Sequence, residues 1–495
     1  MATPALFLNA LTIVLGSFQY GYHIGELNSP QHVITTCPDS PDPSTLGDDT
    51  PTCIPMSNSE WSVLVATLTL GGLIGALFLG SGLANHLGRR RASMLNSFSL
   101  LFGSLLMGTA STYQGMLAGR FMIGIGCGVV TVIVPMYLAE VSPPEHRGSL
   151  GVMNQLGIVV GILLAQVLGL YLSTPTGWRT ILLTGAALSA LQMFLLPFCV
   201  ESPRFLALQP GGAVKAKKAL QILRGRQDVG KEIRDWTRQD DRAVAAEEEG
   251  LSGSSPLLHD PSDSAREEQP LQHRTFDAQG SGNISVVEFV LLPQYRRQAI
   301  ILLVVQLTQQ LSGINGVIFY STAIMSQILP SSGAMITVYI SVVNTIMTLI
   351  SAYLMDKAPR RTLLLTSSVS MGACSFLLAF SLGYDIPVLS AISIIAFVAS
   401  FAIGLGPIPF LIIPEVVDTV GVASASAFAL SINFIANFIV AAMFLKLQEW
   451  WGGNVFYLFC MILAGLSVAM HRIVPETKGK TPEEVARSWQ PSHAH

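Results

Sequence analysis

Twelve apolar runs constrain this chain of 495 residues more than any other feature of its sequence. Each run has about 20 residues, the length that an α-helix needs to cross ~30 Å of hydrocarbon. The runs begin near Ala5, Trp61, Ser93, Gly115, Gly151 and Arg179, and then near Gln298, Ala334, Leu363, Pro387, Ser424 and Val455. The pattern predicts an all-α polytopic membrane protein with twelve transmembrane helices.

Charged residues are concentrated in one segment between the sixth and the seventh run. Only 12% of the residues are charged, against about 25% in soluble domains. Of the 59 charges, 29 lie between Val200 and Arg297. This distribution excludes an ordinary soluble enzyme. A net charge of −3 without an extended basic face also argues against a nucleic-acid partner. Because no catalytic constellation or metal-ligand cluster stands out, we expect no enzyme, no metal and no cofactor.

The position of the charged segment predicts four regions. Residues 1–199 form an N-terminal six-helix bundle, 200–297 a cytoplasmic central segment, 298–473 a C-terminal six-helix bundle, and 474–495 a short cytoplasmic tail. Within the central segment, the part from Gly211 to about Glu249 is predicted to be helical. The part from Gly250 to Gly282 is rich in Ser, Gly and Pro and is predicted to be a disordered linker.

Basic residues occupy the loops on one side of the predicted membrane. The loops after the second, fourth, eighth and twelfth runs hold Arg89, Arg90, Arg91, Arg147, Lys357, Arg360, Arg361, Arg472, Lys478 and Lys480. The opposite loops hold almost no Lys or Arg. The positive-inside rule therefore places the central segment and both termini in the cytoplasm.

Two of the six cysteines, Cys37 and Cys53, bracket a polar loop on the opposite side. The other four lie inside apolar runs and are expected to be packing residues. A loop on the non-cytoplasmic side faces an oxidising space, either outside the cell or in an organelle lumen. The sequence therefore predicts a disulfide between Cys37 and Cys53.

Short motifs recur at matching helix ends in the two halves. The pairs are Gly88-Arg89-Arg90 with Pro359-Arg360-Arg361, Ala139-Glu140-Val141 with Pro414-Glu415-Val416, and Glu201-Ser202-Pro203-Arg204 with Pro475-Glu476-Thr477-Lys478. Three matched pairs predict an internal duplication and therefore two pseudo-symmetric bundles. This architecture is typical of alternating-access transporters.

The charged residues of these motifs are candidates for a cytoplasmic latch. Arg and Glu at helix ends can form bidentate hydrogen bonds and complement helix dipoles. We predict that they join the two bundles on the inside, stabilise the outward-open state and separate in each cycle. The latch residues are Arg89, Arg90, Glu140, Arg147, Arg360, Arg361 and Glu415. For any single Arg, the alternative is a role in topology alone.

Amide side chains inside the apolar runs predict a polar pathway, because an unpaired amide costs several kcal/mol in hydrocarbon. The densest group is Gln309, Gln310 and Asn315 in the seventh run. Gly313 lies within this group, where a glycine lets the helix break beside a substrate. Amides offer donors and acceptors without a fixed charge, which suits a neutral polyhydroxylated solute.

Three aromatic residues lie near the predicted pathway: Phe319, Tyr320 and Phe410. Their rings can stack on the C–H face of a solute or close the pathway, and Phe319 and Tyr320 are the candidate gating residues. The runs contain no cluster of Lys and Arg, which argues against phosphate, nucleotide or carboxylate substrates.

Over essentially its whole length the chain resembles the sugar porter (hexose transporter) family of the major facilitator superfamily. The supporting motifs include Gly21-Tyr22, Pro135-Met136-Tyr137, Gln155-Leu156-Gly157-Ile158, Gly406-Pro407-Ile408-Pro409 and Pro475 to Lys480. The first span is most similar to fungal members associated with the vacuolar membrane. The resemblance implies the major facilitator fold and transport of hexose-type sugars by alternating access, in a vacuolar or plasma membrane.

The resemblance also implies which residues bind the sugar. Six amides match positions that contact hexose in the family: Gln155, Gln309, Gln310, Asn315, Asn344 and Asn433. Phe410 is the seventh predicted contact, and it stands where hexose facilitators usually have Trp. It keeps an aromatic face but lacks the indole donor.

Proton coupling has two interpretations. His23 stands where proton symporters of the family have an Asp, facing an Arg that matches Arg120, whereas facilitators commonly have an Asn there. Histidine titrates between about pH 5 and 8, so His23 is a candidate proton carrier, with Glu26 as the second candidate. The alternative is a neutral hydrogen-bonding His23, because a neighbouring Arg120 disfavours its charged form.

Two other functions stay open. The same pocket can serve a transport-inactive sugar sensor, although sensors tend to have a long signalling tail and only about 20 residues follow the last span here. It can also serve a transporter of another neutral polyol such as inositol. We expect a monomer in the lipid bilayer, with a small neutral sugar as substrate and protons as the candidate coupling ion.

Overall fold

The structure is a computed structural model. It describes residues 3–37, 51–143, 147–207, 209, 211–226, 228–230, 232, 285–329, 332–418, 421–480 and 484–485. Within these residues, helix is the only regular secondary structure. The predicted disordered linker and the interior of the loop between Cys37 and Cys53 lie outside the described residues.

The described part of the N-terminal half contains six long helices. They are α1 (Pro4–Gly25), α2 (Asn58–Leu87), α3 (Arg89–Thr109), α4 (Tyr113–Val141), α5 (Arg147–Leu172) and α6 (Trp178–Leu195). A short helix at Gln31–Thr35 follows α1. After α6 come short helices at Pro203–Ala207 and Ala213–Arg224, and Val286–Leu291 precedes the second half.

Six long helices also lie in the part of the C-terminal half that the structure describes. They are α7 (Arg296–Leu311 and Ile314–Ile328), α8 (Gly333–Lys357), α9 (Arg360–Gly383), α10 (Pro387–Ile403), α11 (Val422–Trp451) and α12 (Val455–Ile473). Two short helices, Ile408–Leu411 and Ile413–Val416, continue from α10.

The long helices of the described chain correspond to the twelve predicted runs. Each begins within four residues of the position predicted from hydropathy. Among the described residues, ten helical stretches are long and apolar enough to cross a membrane, and one of them, Val422–Ile473, includes both α11 and α12. α1 is not among these ten, but its 22 residues give it a length of about 33 Å. The predicted fold class is confirmed.

Glycines allow several helices of the N-terminal half to pack closely. A Cβ on Gly75 of α2 would lie 2.1 Å from the carbonyl oxygen of Ile125 in α4, and one on Gly161 of α5 would lie 2.0 Å from that of Phe18 in α1. Any side chain at these positions would clash with the neighbouring backbone. Contact through small residues is a common way for helices to associate in membranes, where lipid competes for apolar surfaces.

The two halves meet along two helix pairs, in which α2 packs against α11 and α5 packs against α8. The end of α1 also contacts the second segment of α7. We call the side where α2 ends and α3 begins the arginine side, after Arg89 and Arg90. We call the opposite side, which carries Cys37 and Cys53, the disulfide side.

Two helices of the C-terminal half are interrupted. α7 breaks at Ser312 and Gly313, as the sequence predicts, and α10 ends at Ile403 before two short helices. Leu405 and Gly406, between α10 and Ile408–Leu411, leave backbone carbonyls free of helical bonding partners. These two interruptions face each other and create the polar region described next.

Candidate functional site

The break in α7 depends on Gly313, which has a φ of 86° in the left-handed region. A Cβ at this position would lie 2.7 Å from the ring of Phe459 in α12, so glycine is required both by conformation and by space. Ser312 closes the preceding segment, because its hydroxyl donates to the carbonyl of Gln309 at 2.7 Å. The break turns the amides at the end of the first segment toward α10 and α11.

Asn433 of α11 lies at the centre of the amide cluster. Its Nδ2 atom donates to Oε1 of Gln306 at 2.8 Å and to Oε1 of Gln309 at 2.7 Å. Gln309 in turn donates through Nε2 to the carbonyls of Leu405 and Gly406, at 2.7 and 3.1 Å. The cluster therefore uses the carbonyls freed by the break after α10, and these bonds fix the orientation of the Gln309 amide.

Two further predicted residues extend the cluster across the break. Asn315 donates through Nδ2 to Oε1 of Gln310, and Nε2 of Gln310 lies 3.5 Å from Oε1 of Gln309. Gln309, Gln310 and Asn315 are buried, but each keeps 4–8% of its surface exposed. The structure thus brings together four of the predicted contacts: Gln309, Gln310, Asn315 and Asn433.

The other three predicted contacts lie outside this hydrogen-bond cluster. Gln155 of α5 is half-buried, Asn344 of α8 is buried, and their side chains form no hydrogen bond with the described residues. Phe410 lies in the short helix after α10 and is 40% exposed. α5 packs against α8, so Gln155 and Asn344 belong to helices of opposite halves that meet. Their free amides are available to a solute between the halves.

The predicted gating residues Phe319 and Tyr320 lie in the second segment of α7, and both are fully buried. Tyr320 stacks on Phe444 of α11 with ring centroids 5.4 Å apart and planes 3° from parallel. Its hydroxyl donates to the carbonyl of Ala441 at 3.0 Å. Tyr320 therefore attaches this segment to α11, within the C-terminal half.

Asn28, just after α1, connects the two halves on the disulfide side. Its Nδ2 atom donates to the carbonyl of Ile318 and to the hydroxyl of Ser321, both at 2.8 Å, and its Oδ1 accepts from the backbone N–H of Thr322 at 3.1 Å. Asn28 and Ser321 are each 1% exposed. The sequence does not predict this contact. Its only signal was a polar residue beyond the first run and a Ser-Thr pair beyond the predicted gating residues.

A second cross-bundle contact lies nearer the surface on the same side. Nδ2 of Asn58, at the start of α2, donates to Oε1 of Glu449, near the end of α11, at 2.5 Å. Together with Asn28, it joins the halves at the disulfide side. The segment of α7 that carries Phe319 and Tyr320 is therefore held against α1 in this structure.

The three proton-coupling candidates form one buried cluster inside the N-terminal half. Glu26 accepts from Nη1 of Arg120 at 2.7 Å through Oε1, and its Oε2 lies 3.0 Å from Nδ1 of His23. The side chains have no exposed surface. Glu26 is thus the shared partner of both basic groups, whereas the prediction was that His23 faces Arg120 and that Glu26 is the second candidate proton carrier.

Several polar atoms of this cluster have no partner among the described residues. They are Nε2 of His23 and both Nε and Nη2 of Arg120. The hydroxyl of Ser104, also unpartnered, lies beside Gly185 together with the His23 ring. Because a buried polar group without a partner is costly, these atoms are available to a bound water molecule.

Arg89 and its partners form a polar cluster at the arginine side of the N-terminal half. Arg89 donates to Glu140 at 2.7 Å, and the hydroxyl of Ser202 donates to the same carboxylate at 2.6 Å. Glu201 accepts from the backbone N–H groups of Arg89 and Arg90, which begin α3, at 2.9 and 3.1 Å. A carboxylate at a helix N-terminus complements the helix dipole.

The C-terminal half repeats this cluster. Arg360 donates to Glu415 at 3.3 Å, and Glu415 also accepts from the hydroxyl of Thr477. Glu476 accepts from the backbone N–H groups of Arg360 and Arg361, which begin α9, at 2.8 and 3.1 Å. The three matched motif pairs of the sequence therefore meet in two equivalent clusters, one in each half.

The predicted latch between the halves stays a prediction, because it is expected to close only in the arrangement that is open on the disulfide side. Arg89 pairs with Glu140 inside the N-terminal half, and Arg360 pairs with Glu415 inside the C-terminal half. Within the described contacts, these ion pairs fasten helix ends within one bundle and do not bridge the two. The physical reason is that each Glu lies at the end of a helix next to the Arg of its own half. The side chain of Arg147 lies outside the described residues.

A tyrosine–carboxylate contact adds to the arginine side of the C-terminal half. The hydroxyl of Tyr295, just before α7, donates to the carboxylate of Asp418 at 2.9 Å. Burial, with the hydrogen bond to Asp418, raises the pKa of Tyr295. Asp418 also accepts from the N–H of Gly421 at 2.8 Å and so orders the entry to α11.

Cys37 and Cys53 form a disulfide, with their Cα atoms 5.5 Å apart. The chain after Pro51 is held by two neighbouring residues at the start of α6. Nε1 of Trp178 donates to the carbonyl of Thr52 at 2.8 Å, and Nη2 of Arg179 donates to that of Pro51 at 2.7 Å. These contacts fix the end of the disulfide loop on the N-terminal half.

Comparison with known proteins gives the family. The model of the family described as "Sugar (and other) transporter" matches residues 9–489. A probable metabolite transport protein of Saccharomyces cerevisiae is 34% identical over 97% of this chain and 94% of its own length. The human facilitated glucose transporter member 4 of solute carrier family 2 is 36% identical over 98% of this chain and 91% of its own.

Solved structures support the fold. The partially occluded inward-open form of the xylose transporter XylE from E. coli matches with a TM-score of 0.74, 21% identity, 97% of this chain and all of that chain. The proton:xylose symporter XylE bound to 6-bromo-6-deoxy-D-glucose matches with the same TM-score over 99% of this chain and all of that chain. The fold is therefore that of the major facilitator superfamily. With a family model that matches nearly its whole length, the chain is a membrane transporter rather than an enzyme, and it belongs to the sugar (and other) transporter family.

Proposed function

We propose that this transporter carries a neutral hexose-type sugar by alternating access. The observation that carries the proposal is the amide cluster at the break of α7, where Asn433 holds Gln309 against the carbonyls freed after α10. The cluster supplies uncharged donors and acceptors in fixed orientations, as a sugar with many hydroxyl groups requires. The glucose and xylose transporters among the similar proteins support the same substrate class.

The remaining contacts come from the other half and from the aromatic residue. Gln155 lies on α5 and Asn344 on α8, and we propose that their free amides bind the sugar when it lies between the halves. Phe410 is proposed to offer its face to the C–H groups of the ring. A substrate held by both halves can couple binding to their relative motion, because it binds one arrangement better than the other.

The gating cycle follows from the contacts on the disulfide side. Asn28 and Asn58 hold the halves together there, so access from this side requires these hydrogen bonds to break. Phe319 and Tyr320 move with the segment of α7 that Asn28 holds. We propose that this segment is the gate on the disulfide side. The clusters of Arg89 and Arg360 keep each bundle rigid while the halves rock.

We propose that transport is coupled to protons through Glu26. Its carboxylate pairs with both Arg120 and His23 in a site without exposed surface. A proton bound to Glu26 or His23 would change the net charge of this cluster. An intramembrane cluster of ionisable groups is a functional site by default. The alternative is a neutral His23 in a facilitator, in which the cluster has only a structural role.

We further propose the topology and location. The arginine side, with the central segment and both termini, is cytoplasmic by the positive-inside rule. The disulfide between Cys37 and Cys53 fits the opposite, oxidising side. The protein is proposed to act as a monomer in a vacuolar or plasma membrane.

Uptake of labelled D-glucose by purified protein in liposomes, with and without an imposed pH gradient, tests the proposal. Saturable uptake that is lost in Gln309→Ala supports a sugar transporter. Proton coupling is supported if the sugar accumulates only with the gradient, and if Glu26→Gln loses this accumulation but still exchanges sugar. Equal accumulation in wild type and Glu26→Gln would contradict the coupling. No uptake by folded protein would reject glucose and favour another polyol, such as inositol, or a sugar sensor.

A further inference from the structure

A groove on the outer surface crosses the boundary between the two halves. It has a volume of about 460 Å³ and is lined almost entirely by apolar groups. One wall includes Val63 and Leu70 of α2, another includes Ala118 and Phe121 of α4, and Phe438 of α11 closes the groove from the C-terminal half. The volume falls within the range of small-molecule sites, about 300–1,000 Å³.

The groove lies in the part of the protein that the bilayer surrounds. Val63, Leu70 and Ala118 are exposed and belong to helices long and apolar enough to span a membrane. Gln114, in the first turn of α4 on the disulfide side, lies at one end of the groove, and Phe121 lies seven residues further along. At 1.5 Å per residue, the groove extends about 10 Å inward from the end of α4.

Phospholipid acyl chains are the apolar ligands available at this depth. A chain from the disulfide-side leaflet enters the hydrocarbon at the level of Gln114 and runs parallel to α4 past Ala118 toward Phe121. The amide of Gln114 is exposed at the disulfide-side end of α4, the level at which we expect the polar headgroup region. We propose that this groove binds one phospholipid acyl chain and that the bound chain stabilises the arrangement closed on the disulfide side.

The link to conformation comes from the two halves that line the groove. Phe438 follows Phe434 by one turn, and the ring of Phe434 packs so closely on α2 that a Cβ on Gly72 would lie 2.6 Å from it. Rocking of the halves moves α11 against α2, so it must change the distance between Phe438 and the walls formed by α2 and α4. An acyl chain that fits the groove in this arrangement binds the arrangement open on the disulfide side less well. It therefore shifts the equilibrium between the two arrangements toward the closed one.

The test uses purified full-length protein with Thr322→Cys as a reporter. Thr322 lies at the contact with Asn28, so its labelling by a membrane-impermeant maleimide reports opening on the disulfide side without any substrate. Palmitoyl-oleoyl phosphatidylcholine is added to delipidated protein, and native mass spectrometry counts the retained lipids. The background without the introduced cysteine corrects for labelling of the native thiols. Because no sugar is needed, the result is independent of the proposed substrate.

We expect added phospholipid to slow labelling about fivefold, at the low end of allosteric coupling. Ala118→Trp fills the groove, so it should retain one lipid fewer and lose the response. Ala187→Trp, on the exposed face of α6, is the matched control and should behave like wild type. Leu70→Trp fills the groove from α2 and replaces Ala118→Trp if that variant does not fold. Glycerophosphocholine, which lacks acyl chains, should have no effect.

Equal lipid retention and equal response in Ala118→Trp and Ala187→Trp would overturn the proposal, because the lipid would then act as bulk solvent. Loss of one lipid in Ala118→Trp with an unchanged labelling response would overturn the link to conformation. A response to glycerophosphocholine equal to that of the intact phospholipid would assign the effect to the headgroup and overturn an acyl-chain site.

Discussion

Oε1 of Glu26 lies 2.7 Å from Nη1 of Arg120, and neither side chain has any exposed surface. The same carboxylate is 3.0 Å from Nδ1 of His23. One carboxylate therefore pairs with two basic groups in a site that has no solvent-exposed surface. Removing one member of a buried ion pair is costly, because the charge of the other member stays buried.

Arg120→Leu should destabilise the protein by about 3–5 kcal/mol, because it leaves the carboxylate of Glu26 buried with only His23 as partner. The measurement is denaturant unfolding of the purified protein in detergent. Glu26→Gln with Arg120→Leu removes both charges and should recover part of the loss. A double variant as unstable as the sum of the two single variants would contradict the pairing.

The number of long helices, and their starting positions, could be predicted from the sequence, because an apolar run reports a span without reference to any other part of the chain. The break of α7 was also predictable, since Gly313 lies among several amides. The interruption after Ile403 was not predicted. It matters for the site, because Gln309 donates a hydrogen bond to the free carbonyl of Leu405 there. The partner of a backbone carbonyl depends on tertiary packing, which the local pattern does not contain.

Pairing between side chains was predicted less well for the same reason. The motifs around Arg89 and Glu140 placed both residues at helix ends on one side of the membrane. They did not show which helices are neighbours on that side. Asn28 and Ser321 are separated by 293 residues in the chain. The duplication was predictable because each half repeats its motifs, and the structure adds that the three motifs of a half converge.

Asn433→Ala should raise the KM for the transported sugar about tenfold, the cost of about 1.4 kcal/mol. The reason is that Asn433 donates to both Gln306 and Gln309, so its loss frees two amide oxygens and loosens the orientation of Gln309. Concentration-dependent uptake in liposomes measures the change. Ser431→Ala is the control on the same helix, because this hydroxyl only bonds the carbonyl of Ala427. Equal KM values in both variants would contradict a binding role for Asn433.

Arg89→Ala and Glu140→Ala should show a coupling energy of about 0.5–3 kcal/mol in a double-mutant cycle of unfolding. The corresponding cycle of Arg89→Ala with Glu415→Ala should show almost none, since these residues belong to different clusters. The Arg360–Glu415 pair is more exposed and should couple more weakly than Arg89–Glu140. Each Glu variant should also slow transport by loosening one bundle. A strong coupling of Arg89 with Glu415 would instead support the predicted latch between the halves.

Asn28→Ala should favour opening on the disulfide side, because Asn28 makes three hydrogen bonds to the α7 segment of the other half. At about 1 kcal/mol for each lost bond, the opening equilibrium shifts on the order of a hundredfold. Labelling of Thr322→Cys by an impermeant maleimide should become correspondingly faster. Ser29→Ala is the matched control, because its 3.4 Å contact is with the Thr322 hydroxyl that the reporter already replaces, so it should change labelling far less. If both variants labelled at the rate of the reporter alone, Asn28 would not hold the gate closed, and the closure of the disulfide side would rest on the packing of α2 against α11.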